Sequence, residues 1–149
     1  MSEHRAHVAW ERRTPDFTYE GYDRTYELRF PGGQTLRGSA APDYKGDAAC
    51  ANPEEQLAAA LAGCHMLTFL AIAARSRLTV DGYEDEAVAT LGKDAEGRLA
   101  VTRVVLRPRV RFGGQAPDPE RLRTLHEKAH KNCFVAASVR CEVVVEPQP

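Results

Sequence analysis

The chain has 149 residues, of which 43% are hydrophobic and 28% are charged, and its formal net charge is -1. This composition is typical of a soluble domain that can build its own hydrophobic core. A net charge near zero gives no support to electrostatic binding of nucleic acid or of an anionic membrane surface. The N-terminal sequence MSEHRAHVAW contains no apolar run of the kind found in a signal peptide, so we expect a cytoplasmic protein.

Short strands and a loop are predicted in the first third of the chain. Residues 5–11 and 24–30 are predicted strands, and apolar residues alternate with polar ones in the second of them. The Pro-Gly-Gly sequence at 31–33 predicts a turn, after which QTLRG can return as the hairpin partner. Residues 39–51 are small and polar, so we expect a loop there.

A long helix is predicted from Asn52 to about Arg75, with the sequence NPEEQLAAALAGCHMLTFLAIAAR. Asn52 is a favourable N-cap, Pro53 suits the first helical position, and two glutamates follow at the positive end of the helix dipole. Apolar residues occupy nearly all sides, which is typical of a buried helix. The acidic residues and a histidine interrupt the apolar run, so we expect it to fall short of a membrane-spanning segment.

The second half of the chain is predicted to contain a β-hairpin, a helix and a final strand. Residues 82–92 and 99–112 form the hairpin around the polar turn KDAEGR, and a proline in the second strand indicates an edge or a bulge. Asp118 begins the second helix, which ends near Asn132. Residues 139–146 form the closing strand.

This order of elements predicts one α+β domain over residues 1–149. A helix that is apolar all round needs more cover than so few strands supply. A partner subunit would provide that cover, so we predict an intimate homodimer.

An HExxH motif, typical of zinc proteases, runs from His126 to His130. On a helix the two histidines share a face, and Glu127 could act as a base. The pattern is common by chance, and a catalytic zinc needs a third protein ligand. The acids that follow, Glu142 and Glu146, fall in a predicted strand. We therefore favour partly buried or surface histidines and predict no metal.

The four cysteines are Cys50, Cys64, Cys133 and Cys141, and no pair has CxxC spacing. An even number predicts no disulfide framework in a reducing compartment, and a buried cysteine is most often a small core residue. A reactive thiolate needs a cation or hydrogen-bond donors nearby, and the helix dipole helps little in mid-helix. A guanidinium held by Glu54 would be a natural activator of Cys64. The residues alone leave both interpretations open.

The long helix resembles the signature helix of the OsmC/Ohr family, the osmotically inducible and organic hydroperoxide resistance proteins. In that family Asn-Pro-Glu opens an alanine-rich helix, and the peroxidatic cysteine lies ten residues after the glutamate, as Cys64 does after Glu54. The stretch HEKAHKNCFVAASVRCEVVV is also similar, because in the family a helix leads to the resolving cysteine and a final strand. The resemblance extends over roughly residues 20–146.

The resemblance implies an intertwined dimer whose long central helices are enclosed by antiparallel sheets. It also implies a thiol-dependent peroxidase, in which Cys64 attacks an organic hydroperoxide, becomes a sulfenic acid and forms a disulfide with Cys133. A dithiol of the lipoyl or thioredoxin type would reduce that disulfide, and no metal, flavin or haem is implied. The apolar residues expected to bury the alkyl part of the substrate are Leu61, Met66, Leu67, Phe69 and Phe134.

The family also pairs an arginine from its N-terminal strand region with the glutamate. Arg24, in YDRTYELRF, is our first choice for that arginine, and Arg13, in ERRTPDF, is the second. Phe134 stands where hydroperoxide-resistance members usually have proline, which indicates the broader OsmC-like branch. Cys50 could act as an alternative resolving thiol, although an inert loop cysteine is the simpler interpretation. The alternative function is a non-catalytic OsmC-like protein that senses redox state or binds an apolar ligand.

Overall fold

The computed structural model describes residues 1–149, which divide into two compact units, Met1–Gln56 and Leu57–Pro149. Together they contain two α-helices and eight strands, so the α+β class expected from the sequence is confirmed. The assignment of the whole chain to one domain stays a prediction.

The N-terminal unit contains an antiparallel sheet of three strands in the order β1-β2-β3. The strands are β1 His7–Ala9, β2 Tyr26–Arg29 and β3 Thr35–Gly38. The second and third form the predicted hairpin, and Gly33 in its turn has a φ of 85°, which favours glycine. The first two strands are shorter than predicted, since only three residue pairs join β1 to β2.

Helix α1 spans Pro53–Arg75, as the sequence predicts. Its start is a capping box: the Glu55 N–H donates to Asn52 Oδ1, and the Asn52 N–H donates to Glu55 Oε2, both over 2.9 Å. The helix ends just before Arg77, which has a φ of 59°. Contrary to expectation, α1 is long and apolar enough to cross a membrane, a test that core helices of soluble proteins also pass. Only 28% of its most apolar 18-residue window is buried in this chain.

The C-terminal unit contains two separate sheets. Its strands are β4 Thr79–Asp85, β5 Val88–Lys93, β6 Leu99–Leu106, β7 Pro108–Gly113 and β8 Glu142–Val145. β4 pairs with β7, whereas β5, β6 and β8 form the second sheet, in which β8 runs parallel to β6. The hairpin around KDAEGR is confirmed as β5–β6.

The predicted strands 82–92 and 99–112 are wrong in extent, because each is divided between the two sheets. The break in the second lies at Arg107, whose N–H donates to the Asp85 Oδ1 carboxylate oxygen over 2.7 Å. Pro108 follows and has no N–H to offer a neighbouring strand. The ladder is therefore interrupted at this point, and β7 begins a new pairing with β4.

Helix α2 spans Pro119–Lys131, and the Asp118 carboxylate caps it by accepting from the Arg121 N–H over 2.8 Å. Two core clusters hold the C-terminal unit together. The first contains Ala58, Leu61, Val104 and Leu106, and the second contains Phe69, Ala73, Leu125 and Ala129. The first half of α1 thus packs on β6, and the second half packs on α2.

Candidate active site

Two thiols, Cys64 and Cys133, lie against each other in the C-terminal unit. Cys64 is in the middle of α1 and is half-buried, whereas Cys133 follows the end of α2 and is only 1% exposed. Both are free cysteines, and each thiol shifts the pKa of the other, so the two side chains are close neighbours. The structure therefore brings together the two cysteines that the sequence singled out, from positions 69 residues apart.

The surroundings of Cys64 favour its thiolate. Burial by itself raises the pKa of the Cys64 thiol, but hydrogen bonds from the Cys133 thiol and from the N–H groups of Val135 and Phe134 outweigh burial. The Thr68 hydroxyl contributes in the same direction, and the net result is a pKa below the ordinary value for a cysteine. This is the donor environment that a reactive thiol needs.

Cys133 has the opposite tendency. Burial raises the pKa of the Cys133 thiol, and the hydrogen bond to Cys64 raises it further. The Ala136 N–H donates to the Cys133 sulfur over 3.4 Å, which only partly offsets these effects. When the reduced pair loses one proton, Cys64 is therefore the thiol that ionises, and Cys133 stays protonated.

The apolar residues that the sequence placed near Cys64 fall into two groups. Leu67 is 65% exposed and Phe134 is 84% exposed, so both offer apolar surface to a ligand. Leu61 and Phe69 have no exposed surface, which makes them core residues and contradicts their predicted role in contacting substrate. Met66 is half-buried.

Arg24 lies in the N-terminal unit and is buried, with the residue as a whole 9% exposed. It donates to the backbone carbonyls of Tyr22 and Tyr19, over 2.9 and 2.6 Å. It also lies over both rings, at 3.9 Å from the Tyr22 centroid and 5.2 Å from the Tyr19 centroid. Glu54 is half-buried in the first turn of α1, and the two residues form no ion pair within this chain.

Arg24 is one of the residues that line an aromatic cleft with a volume of about 450 Å³. Its lining residues are Val8, Trp10, Phe17, Tyr22, Arg24, Tyr26, Ser39, Ala40 and Pro53. The Trp10 indole N–H donates to the Asp23 carbonyl over 2.7 Å, which fixes the ring at the edge of the cleft. Arg13, our second choice for the activating arginine, is exposed and does not line this cleft.

A pair of buried histidines connects the two helices next to the thiols. His65 Nε2 and His126 Nδ1 are 3.1 Å apart, and Phe69 stacks on the His126 ring at 4.3 Å between centroids. Burial lowers the pKa of His65 to about 4, with a smaller contribution from the charges of His126 and His130, and burial lowers the pKa of His126 to about 4. The structure holds no group of three or more His, Cys, Asp or Glu side chains arranged to bind a metal ion.

The remaining cysteines lie in different surroundings. Cys50 is buried, and its thiol lies 3.7 Å from the Asp47 Oδ2 carboxylate oxygen. Cys141 is half-buried and packs against the first core cluster.

Sequence reasoning missed two parts of the site, the main-chain donors after Cys133 and the His65–His126 pair. Main-chain donors leave no trace in residue type, because every residue except proline has an N–H. The histidine pair joins residues 61 positions apart, and only His126 belongs to a recognisable motif. The nearest available signal was that His65 directly follows Cys64.

The fold and the adjoining thiols define an α+β protein with a two-cysteine site. The model of the OsmC-like protein family matches residues 46–148, and the chain belongs to that family. It is 45% identical to an OsmC-like protein of unknown function from Vibrio cholerae, with a TM-score of 0.95 over 99% of this chain and 100% of that one. Among curated proteins no match is found.

Organic hydroperoxide resistance proteins share the fold at lower identity. The OhrB protein of Bacillus subtilis is 20% identical, with a TM-score of 0.71 over 99% of this chain and 98% of that one. An organic hydroperoxide resistance protein OsmC from Legionella pneumophila is 17% identical, with a TM-score of 0.72 over 99% and 96%. At these identities the likeness establishes the fold alone.

Proposed function

We propose that this protein is a thiol-dependent peroxidase that reduces organic hydroperoxides. The observation that carries the proposal is the contact between Cys64, whose pKa is lowered, and Cys133, whose pKa is raised. One sulfur is thus prepared to attack, and a second thiol is in reach to react with the product. The names of the hydroperoxide resistance relatives support the same reaction class.

The reaction proceeds in three steps. The Cys64 thiolate attacks the outer oxygen of the hydroperoxide and the O–O bond breaks, so the sulfur becomes a sulfenic acid and the alkoxide takes a proton to leave as the alcohol. The Cys133 sulfur then displaces hydroxide from the sulfenic sulfur, which forms the Cys64–Cys133 disulfide and, with one proton, water. A dithiol of the lipoyl or thioredoxin type returns both cysteines to thiols by exchange and becomes a disulfide itself.

The exposed apolar side chains favour an organic substrate over hydrogen peroxide. Leu67 and Phe134 can cover an alkyl or aromatic group, and burial of apolar surface contributes about 25 cal/mol per Å². Hydrogen peroxide offers no such surface.

We also propose supporting roles for residues of the N-terminal unit and for a partner subunit. Arg24 and Glu54 assist ionisation of Cys64 within a homodimer, in which the second copy covers the exposed apolar surface of α1. OsmC-like proteins are generally soluble, which supports a cytoplasmic protein.

The test is consumption of cumene hydroperoxide and of hydrogen peroxide with a dithiol as reductant. We expect turnover with the organic substrate to exceed that with hydrogen peroxide and to be lost in Cys64→Ser. Cys50→Ser is the matched control and keeps turnover, since Cys50 contacts a carboxylate rather than a second thiol. Full activity in Cys64→Ser would show that the mechanism is wrong.

The aromatic cleft of the N-terminal unit favours a second candidate function. Its volume of about 450 Å³ and its aromatic lining suit binding of an apolar ligand by a non-catalytic OsmC-like protein. Slow, stoichiometric oxidation of Cys64 without recycling by any dithiol would favour this function or redox sensing.

A further inference from the structure

The turn that follows Cys133 leaves consecutive main-chain N–H groups without carbonyl acceptors. Hydrogen bonding resumes with the Ala137 N–H, which donates to the Cys133 carbonyl over 3.0 Å, and the Ser138 N–H, which donates to the Val135 carbonyl over 3.0 Å. The N–H groups of Phe134, Val135 and Ala136 have no backbone partner. Main-chain N–H groups in a packed region almost always find an acceptor, so theirs must be sought elsewhere.

These three N–H groups lie in the turn beside the two sulfurs. The Ala136 N–H donates to the Cys133 sulfur over 3.4 Å. The Phe134 N–H lowers the pKa of the Cys64 thiol, and the Val135 N–H lowers the pKa of both thiols. The Ser138 hydroxyl donates to the Phe134 carbonyl over 2.8 Å, which fixes the geometry of the turn.

We propose that the N–H groups of Phe134, Val135 and Ala136 form an amide cradle that holds the negative charge of the sulfur pair. The cradle stabilises Cys64 as the thiolate. The Val135 N–H acts on both sulfurs, so it also stabilises the negative charge when that charge moves to Cys133. The assignment of Cys64 as the attacking sulfur rests on the proposed function. The cradle itself is a property of the reduced thiols and needs no hydroperoxide.

The cradle also holds the leaving sulfur when the disulfide is reduced. The reductant thiolate forms a bond to one sulfur, the Cys64–Cys133 bond breaks, and its electron pair leaves on the other sulfur as a thiolate. The second thiol of the reductant then closes its own disulfide and releases the first sulfur. Because the Val135 N–H lowers the pKa of both thiols, either leaving sulfur finds a stabilising donor already in place.

Phe134 allows a matched pair of variants. Phe134→Pro removes the N–H, whereas Phe134→Ala removes the side chain, which is 84% exposed, and keeps the N–H. Loss of one donor to a thiolate is expected to shift its ionisation by about one pH unit, which is about a tenfold lower rate of reaction below the transition. We expect iodoacetamide to label Cys64 about tenfold more slowly in Phe134→Pro than in Phe134→Ala at low pH, with the rates converging at high pH.

A second pair of variants keeps the test decisive if Phe134→Pro fails to fold. Val135 has a φ of -69°, which the proline ring accepts, so Val135→Pro is compared with Val135→Ala after circular dichroism has shown which variants fold. In the unmodified protein, the amide resonances of Phe134 and Val135 are expected to titrate at the same pH as Cys64 labelling, and to lose that transition in Cys64→Ser. Labelling is quantified by peptide mass spectrometry, which separates Cys64 from the other cysteines.

Identical labelling profiles within each folded pair, or amide resonances that ignore Cys64 ionisation, overturn the cradle. Neither measurement involves turnover. A protein that shows the proline-specific shift but consumes no hydroperoxide keeps the cradle and loses the proposed function. A protein that turns over hydroperoxide with no such shift keeps the function and loses the cradle.

Discussion

Cys64 and His65 are neighbours in α1 with opposite responses to burial. Both side chains face the segment formed by α2 and the turn after it, and burial disfavours the charged form of each. At Cys64 a second thiol and main-chain N–H groups outweigh burial, so the pKa falls and the charged form gains. At His65 burial dominates, and the pKa falls to about 4, which keeps the ring neutral.

The difference lies in the partners that each group finds. Donors converge on the Cys64 sulfur, and donors stabilise an anion. His65 Nε2 faces another ring nitrogen, so one proton between the rings makes a hydrogen bond and a proton on each breaks it. The outer nitrogens, His65 Nδ1 and His126 Nε2, are buried and have no partner to stabilise a second proton. Burial alone therefore does not decide which residue of α1 is chemically active.

Removal of the sulfur should have the largest effect. Cys64→Ser replaces the thiolate with an alcohol that stays protonated and is a poor nucleophile. We expect dithiol-dependent consumption of cumene hydroperoxide to fall to the rate of buffer with reductant alone. Unchanged melting temperature would show that the loss is chemical.

Removal of the Phe69 ring, which would leave a cavity beneath the histidine pair, should have the next largest effect. Phe69 has no exposed surface and stacks on His126, so Phe69→Ala is expected to cost about 3–5 kcal/mol of unfolding free energy. Leu99→Ala, at a side chain 59% exposed, is the control and should change stability by less than about 0.5 kcal/mol. Urea denaturation measures both, and equal losses would contradict the assignment of Phe69 to the core.

The neutral histidine pair should make stability depend on pH. The pKa of His65 and of His126 is about 4 in the folded chain, against 6.5 ordinarily, so the unfolded chain binds more protons between these values. Stability should therefore be full well above pH 6.5 and fall as pH drops to 4, by up to about 3 kcal/mol for each histidine.

The double variant His65→Leu/His126→Leu provides the control for this dependence. It replaces both partners with apolar side chains of similar size, which can be nearly neutral for stability. We expect a flatter curve of unfolding free energy against pH over the same window. If the double variant loses the same amount of stability over this pH range, groups other than the two histidines cause the dependence.

Removal of the second thiol should have the smallest effect on reactivity. Cys133→Ala takes away one donor, so the pKa of Cys64 should rise and iodoacetamide labelling below that pKa should slow about tenfold. Cys133→Ser keeps a hydroxyl donor and should lie between this variant and the unmodified protein. In both variants the Cys64 sulfenic acid should accumulate after one turnover, trapped with dimedone and detected by mass spectrometry.

Much of the fold could be predicted because its signals are local. The capping box at Asn52 and Glu55, the Asp118 cap and the polar turn KDAEGR depend on residues a few positions apart. The break near Arg107 could not be predicted, since it depends on Asp85, which is 22 positions away. The parallel pairing of β8 with β6 is likewise a long-range choice.

The sequence by itself determined the two helices, the class of fold, and the spacing of Glu54 and Cys64 that indicates the family. Only the tertiary structure decided which of the apolar residues near Cys64 are core and which are exposed, because α1 is apolar on nearly every side. It also decided that main-chain N–H groups and the Cys133 thiol lower the pKa of Cys64. A main-chain donor is the same in every residue except proline, so its role depends only on where the fold directs it.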